Sequence, residues 1–167
     1  FIPYGESGTE GYDVEASPQG DVFVVGLEWV GQGGDASYDF NGWLGKFDRF
    51  RVLKSSVVFA NAQFTDILRD NHGNLFVLGL KNFVPGNSSD FLMAKYSSSL
   101  QLLKFIDSSI FGSLEDSYRP QSFVFHPDGD ILVLLTRIEA SGHSSLTLVK
   151  INPDLEVENT VTFEGPP

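Results

Sequence analysis

The chain has 167 residues, no cysteine, and 22 acidic against 11 basic residues, which gives a formal net charge of −11. The missing cysteine excludes disulfides, thiolate nucleophiles and cysteine-ligated metals. The acidic balance argues against nucleic acid and anionic membranes as partners, and no apolar run reaches the roughly 18 residues of a membrane helix. We therefore expect a single domain spanning 1–167 without membrane insertion. Because the sequence starts at Phe1, we also expect a processed form or a piece of a longer protein.

The first predicted unit, about 12–59, contains short strands and no helical period. Its second strand follows a tight turn around Gly20, a residue that accepts a positive φ. That strand is almost wholly apolar, which is typical of a strand covered on both faces. The predicted strands are 12–16, 22–27, 42–48 and 52–59. The segment 28–41 is predicted to be a long loop between the second and third strands.

The second and third units, about 62–106 and 121–163, repeat this order. The same turn recurs around Gly73 and Gly129, and each turn leads into an apolar strand. The predicted strands of these two units are 62–68, 75–80, 91–96 and 100–106, then 121–125, 131–136, 146–151 and 157–163. The predicted loops are 81–89 and 137–145, and 111–120 is predicted to be a connector between the two units.

Two landmarks recur in phase along the chain. The turn glycines Gly20, Gly73 and Gly129 are 53 and 56 residues apart. The lysines Lys46, Lys95 and Lys150, each inside an apolar third strand, are 49 and 55 residues apart. A period near 50 residues indicates a repeat architecture, and a repeating four-stranded antiparallel sheet is a propeller blade. We therefore predict an all-β, β-propeller-type fold of three consecutive four-stranded antiparallel blades.

The segment 70–96 resembles a known repeat. Asp70-x-x-Gly73-Asn74, an apolar strand ending in Gly79, a polar loop and Asp90-Phe-Leu-x-Ala-Lys-Tyr are similar to the bacterial seven-bladed β-propeller (SBBP-type) repeat. The opening Tyr-Gly-Glu-Ser-Gly at 4–8 resembles the junction between blades of that family. The third unit departs from the pattern with Leu135 at the strand-ending glycine. Related repeats, such as the NHL and lyase-type propellers, remain alternatives.

Three blades are fewer than the roughly 4 to 8 blades of a closed propeller. An isolated set of three would expose two apolar blade faces. We therefore expect a partial or oligomer-completed ring. The chain is then either a slice of a longer propeller or half of a six-blade ring that a second copy completes.

The long polar connections are the predicted ligand-binding region, because sites lie on the loop-rich end of a rigid scaffold. Their mixture of aromatic, amide and carboxylate side chains suits a carbohydrate or a protein partner. Ordinary solvated loops are the alternative interpretation. The candidate residues are Trp29, Asp35, Tyr38, Asp39, Asn82, Asn87, Asp116, Tyr118, Arg119, Arg137 and His143.

The opposite end carries His72 and His126 in equivalent turns, where we expect surface histidines. The sequence at 70–74 lacks the successive acidic ligands and the closing glutamate of a calcium loop. Calcium binding therefore remains an alternative that the pattern does not support, and no other cofactor or metal is expected. The repeated lysines are expected to be structural, either reaching the rim or pairing with a turn aspartate such as Asp21 or Asp130.

The leading hypothesis is a non-catalytic interaction or structural module of a secreted or cell-surface bacterial protein. The first alternative is a propeller lyase or glycoside-acting hydrolase that uses a pair of loop carboxylates. The carboxylates considered for that activity are Asp35, Asp39, Glu115 and Asp116. The second alternative is a self-assembling surface or filament subunit. Fold alone decides none of these.

Overall fold

The computed structural model describes residues 7–31, 38–82, 90–112 and 115–164. Within these residues the chain forms twelve β-strands, one short 3-10 helix, Ser108–Phe111, and no α-helix. The all-β prediction is therefore confirmed. A membrane-spanning helix is likewise missing from the described part of the chain.

The strands form three four-stranded antiparallel sheets, and each sheet keeps its strands in sequence order. The first sheet contains β1 (Gly8–Ala16), β2 (Val22–Gly31), β3 (Tyr38–Phe47) and β4 (Leu53–Ala60). The second sheet contains β5 (Ala62–Arg69), β6 (Leu75–Lys81), β7 (Asp90–Tyr96) and β8 (Leu102–Asp107). The third sheet contains β9 (Ser117–Phe125), β10 (Ile131–Ile138), β11 (Ser144–Ile151) and β12 (Val157–Phe163).

Matching turns join the first two strands of every sheet. Gly20, Gly73 and Gly129 have φ of 90°, 87° and 98°. Each glycine N–H donates to the carbonyl three residues earlier, at 2.9 to 3.1 Å. A residue with a Cβ is strained at such a φ, so the turn glycines are where the backbone requires them.

Several strands, including β2, β3 and β9, are longer than the sequence patterns predicted. In the first sheet Glu28 pairs with Asn41 and Gly31 with Tyr38, so most of the predicted loop 28–41 belongs to a β-ladder. Likewise β9 begins at Ser117, inside the predicted connector 111–120. The polar residues there ended the apolar pattern without ending the strand, because backbone pairing tolerates polar side chains wherever one face meets water.

The first strand of each following sheet packs against the preceding sheet. β5 contacts β1, β2 and β3, and β9 contacts β5, β6 and β7. One apolar cluster joins the first and second sheets around Phe64, and another joins the second and third sheets around Phe76. The second sheet is thus covered on both faces, and the β6 side chains at 75–78 are 0 to 1% exposed. Over the described residues, the three sheets do not close into a ring.

Candidate functional site

Arg137 and Asp116 form the core of a cluster of predicted site residues that the structure brings together. The Asp116 Oδ2 atom lies 3.0 Å from Arg137 Nε and 2.9 Å from a terminal guanidinium nitrogen. Glu139 Oε1 lies 3.5 Å from the same terminal nitrogen. The hydrogen bond to Asp116 raises the pKa of Arg137. The pair ties the start of β9 to the end of β10, and the two carboxylates compensate the charge of the guanidinium.

Tyr118 belongs to the same cluster but lies inside the protein. Its side chain is buried, and its ring lies 4.3 Å from the ring of Phe111, centroid to centroid. Burial raises the pKa of Tyr118. The tyrosine therefore contributes apolar packing between the second and third sheets more than it presents a hydroxyl to solvent.

The other predicted binding residues do not converge with this cluster. Trp29 lies in β2 with its ring against Gly8, and its buried Nε1 has no hydrogen-bond partner among the described residues. Asp39 lies in β3 beside Val30 in the ladder. Asn82 directly follows β6 with a φ of 54°.

His143 lies in the turn between β10 and β11, and Arg119 lies in β9. His143 Nε2 is 3.2 Å from Glu164 Oε2, and Arg119 is an exposed residue of β9. Asp35, Asn87 and the side chain of Tyr38 lie outside the described residues. The predicted loop location was wrong for Trp29, Tyr38, Asp39, Tyr118, Arg119 and Arg137, which all lie in strands.

A cleft lies at the end of the sheets opposite to the Arg137–Asp116 cluster, between the first turns of the second and third sheets. It has a volume of about 490 Å³. Its floor is aromatic, because the rings of Phe76 and Phe125 meet edge to face with centroids 5.7 Å apart. His72, His126 and Arg69 lie among its lining residues. The sequence pattern placed both histidines in equivalent turns, but it carried no signal that neighbouring turns flank a groove.

The carboxylates beside this cleft are already engaged. Asp70 accepts hydrogen bonds from the amides of His72 and Asn74 at 2.9 and 2.8 Å. Asp128 Oδ1 lies 2.7 Å from His126 Nδ1, and that contact lowers the pKa of Asp128. Across the described ranges, no three His, Asp or Glu side chains gather as metal ligands. The cleft therefore has an aromatic floor and a polar rim whose aspartates are held within their own turns.

The repeated lysines connect neighbouring sheets. Lys46 Nζ donates to the carbonyl of Ser98 at 3.2 Å, and Lys95 Nζ donates to the carbonyl of Pro153 at 2.7 Å. Both acceptors belong to the turn before the fourth strand of the following sheet. Lys46 also pairs with Asp21 at 3.0 Å. The Lys46 ammonium thus has partners on the first and second sheets, and the Lys95 ammonium has its partner on the third.

Lys150 occupies the same position in the third sheet but finds its partners there. Its Nζ lies 2.5 Å from Asp130, 3.0 Å from Glu158 and 3.2 Å from Asp128. The hydrogen bond to Asp130 contributes most to raising the pKa of Lys150. The two turn aspartates named from the sequence, Asp21 and Asp130, are therefore lysine partners.

Asp13 and Asp66 form a carboxylate pair that the sequence patterns missed. Each follows a bulge in the first strand of its sheet. Asp13 Oδ2 accepts a hydrogen bond from the Ile67 amide at 2.9 Å, and Asp66 accepts one from the Phe123 amide. Burial, followed by the hydrogen bond and the charge of Asp13, raises the pKa of Asp66 to about 6. Both carboxylates therefore bond the first strand of the following sheet.

A scan of the sequence against protein-family models and a search of curated proteins both found no match.

Proposed function

We propose that the chain is a non-catalytic interaction and structural module built from consecutive β-propeller-type blades. The proposal includes its place in a secreted or cell-surface bacterial protein, which follows from the resemblance of 70–96 to the SBBP-type repeat. A protein or carbohydrate is the expected partner, together with further blades of the same kind.

The observation that carries the blade proposal is a set of contacts repeated from one junction to the next. The third-strand lysine of one sheet reaches the turn of the following sheet at Ser98 and again at Pro153. The first-strand aspartate of one sheet accepts a hydrogen bond from a first-strand amide of the following sheet. Asp13 accepts from Ile67, and Asp66 accepts from Phe123. Equivalent residues making equivalent contacts are expected when one rotation relates each sheet to the next, as in a propeller.

The use of the polar groups supports a non-catalytic assignment. Asp116 is held by Arg137, Asp70 by its own turn, and Asp13 by the amide of Ile67. An active site needs a nucleophile, acid or base that is free to act on a substrate. These side chains instead connect strands, turns and sheets.

An experimental structure tests the blade proposal. We expect a crystal structure to relate the first sheet to the second, and the second to the third, by similar rotations about one shared axis. Dissimilar rotations, or axes that do not coincide, would contradict a propeller-type arrangement.

Turnover assays test the non-catalytic part. We expect no cleavage of a panel of bacterial and plant polysaccharides, with products followed by reducing ends and by absorbance of unsaturated sugars. Cleavage that disappears in Asp116→Asn would instead identify the enzyme alternative. An unchanged rate in that variant would trace the cleavage to a contaminant or to other residues, so the assay is repeated on Asp13→Asn.

A further inference from the structure

The third sheet exposes the face that the first and second sheets bury. We call the side of a sheet turned towards the following sheet its front face. The front-face side chains Phe23, Phe76, Phe91 and Met93 are 0 to 1% exposed. The ladder pairings place Leu146 beside Phe163 and Leu132 beside Val124 on the front face of the third sheet. The exposed fractions there are 53% for Val124, 47% for Leu146, 43% for Val161 and 54% for Phe163.

The first sheet exposes the opposite side, which we call the back face. In the second and third sheets this side packs against the preceding sheet through residues such as Ile67 and Phe123. In the first sheet, Val14 pairs with Val24 and Trp43 with Val58 along the same side. Val14 is 58% exposed and Val58 is 53% exposed. The molecule therefore ends in two apolar faces of the complementary kinds that meet at its internal junctions.

The turn before the fourth strand differs between the internal junctions and the free end. At the fourth position of this turn, Leu100 and Leu155 have φ of 66° and 57° and are 4% and 2% exposed. Both insert into the clusters that join neighbouring sheets. Arg51, with a φ of 66°, occupies this position in the first sheet and is exposed. The same turn also carries the exposed Arg49, so the free turn is cationic.

The surroundings of Lys150, on the third sheet, have the complementary negative charge. Three carboxylates surround the ammonium of Lys150, those of Asp128, Asp130 and Glu158. Lys46, at an internal junction, pairs with Asp21, and Lys95 has Asp154 at 3.9 Å. The third sheet therefore carries excess negative charge at the place where the turn of a following sheet would lie. The only such turn with two arginines, within the described residues, is that of the first sheet.

We propose that two copies of the chain bind head to tail, with the front face of the third sheet of one copy against the back face of the first sheet of the other. The turn carrying Arg49 and Arg51 then lies against the carboxylates around Lys150. The inference rests on the proposed blade arrangement. Such an interface is heterologous, and two copies give six sheets, within the range of about 4 to 8 for closed propellers.

A complementation experiment tests the geometry, with Leu146→Asp blocking the front face and Val14→Asp blocking the back face. Both positions are about half exposed, so each variant is expected to fold, which circular dichroism checks. By sedimentation velocity, the unmodified chain is expected at twice its 18.4 kDa mass, and each variant alone as a monomer. An equimolar mixture is expected to recover a dimer, because one unblocked front face then meets one unblocked back face.

Each alternative geometry gives a different pattern. A front-to-front dimer would survive Val14→Asp, and a back-to-back dimer would survive Leu146→Asp, so either result overturns the proposal. A mixture that stays monomeric overturns it as well. An unmodified chain that is monomeric across the micromolar range contradicts the proposed dimer. The proposed blade arrangement would still hold in that case if similar rotations relate the three sheets.

Charge reversal tests the turn. Arg49→Glu combined with Arg51→Glu is expected to weaken dimerisation at least about tenfold, because like charges meet at the interface. Adding Glu158→Arg is expected to recover part of that loss. The matched control is Ser99→Glu combined with Gln101→Glu, which adds negative charge at two exposed positions of the corresponding turn of the second sheet, at an internal junction. Equal effects of the turn and control variants, or no recovery with Glu158→Arg, would contradict the proposed charge contact.

Discussion

The second and third sheets have the same strand order but different surroundings. The second sheet lies between two neighbours, and both its faces are buried. The third sheet has one neighbour, and apolar residues at the positions that are buried in the second remain exposed: Phe91 is 0% exposed, and Leu146, at the same place in the third strand, is 47% exposed. Burial stabilises by about 25 cal/mol per Å² of apolar surface. The third sheet therefore carries apolar surface that the described residues leave open to water.

The largest expected effect comes from truncating these two matched positions. Phe91→Ala is expected to lower the free energy of unfolding by about 3 to 5 kcal/mol, because it leaves a cavity between the second and third sheets. Leu146→Ala is expected to cost under about 1 kcal/mol in the monomer, since much of that side chain already meets water. Urea unfolding at low protein concentration measures both. Equal losses there would mean that the front face of the third sheet is covered within one chain.

A smaller effect is expected at the glycine opposite the first-strand bulge. A Cβ on Gly79 would lie 2.2 Å from the carbonyl oxygen of Gln63. Gly79→Ala therefore forces β5 away from β6, at a cost of about 1 to 3 kcal/mol. The control is Gly11→Ala, whose Cβ would meet only a methyl group of Val24, at 3.3 Å. Thermal unfolding compares the two, and similar melting temperatures would show that the sheet yields at the bulge without loss.

Removing a lysine that joins two sheets is expected to cost less again. Lys95→Met keeps most of the apolar stem but loses the hydrogen bond to Pro153, so we expect a loss of about 1 kcal/mol. Lys54, whose side chain is 55% exposed, pairs with Asp48 on the surface. Lys54→Met is therefore expected to cost only a few tenths of a kcal/mol. A larger loss for Lys54→Met in chemical denaturation would contradict the structural importance assigned to the junction lysine.

Local patterns predicted the parts of the fold that local chemistry determines. The turn glycines Gly20, Gly73 and Gly129 have the positive φ that their turns require. The strand β12 has its predicted bounds, Val157–Phe163. The ends of β2 and β3 were missed, because Glu28 and Asp39 break the apolar pattern while their backbones continue the ladder. Apolar periodicity indicates burial, so it gives no signal where a strand extends into solvent.

The site was harder to predict than the fold, because its contacts join residues far apart in the sequence. Asp116 and Arg137 were both candidates, but nothing in their separation indicated that they neutralise each other. Asp13 and Asp66 were missed altogether. Their pairing depends on two bulges that turn equivalent carboxylates towards one another across a junction, and a bulge has no clear signature in one sequence.

That carboxylate pair gives the smallest expected effect, a dependence of stability on pH. An unfolded aspartate loses its proton near pH 3.8, whereas folded Asp66 holds it to about pH 6. The folded state therefore binds more protons between these values, so its stability is greatest on the acidic side and falls as the pH rises from about 4 to about 7. Asp66→Asn keeps an amide that can donate to Asp13 and removes this titration. We expect its melting temperature to exceed that of the unmodified chain at pH 7 and to match it near pH 4. The control is Glu115→Gln, which makes the same change of charge at an exposed residue and should leave the pH profile unaltered. A profile that Asp66→Asn leaves equally steep would mean that some other group responds to pH, and that the two aspartates are held apart in solution.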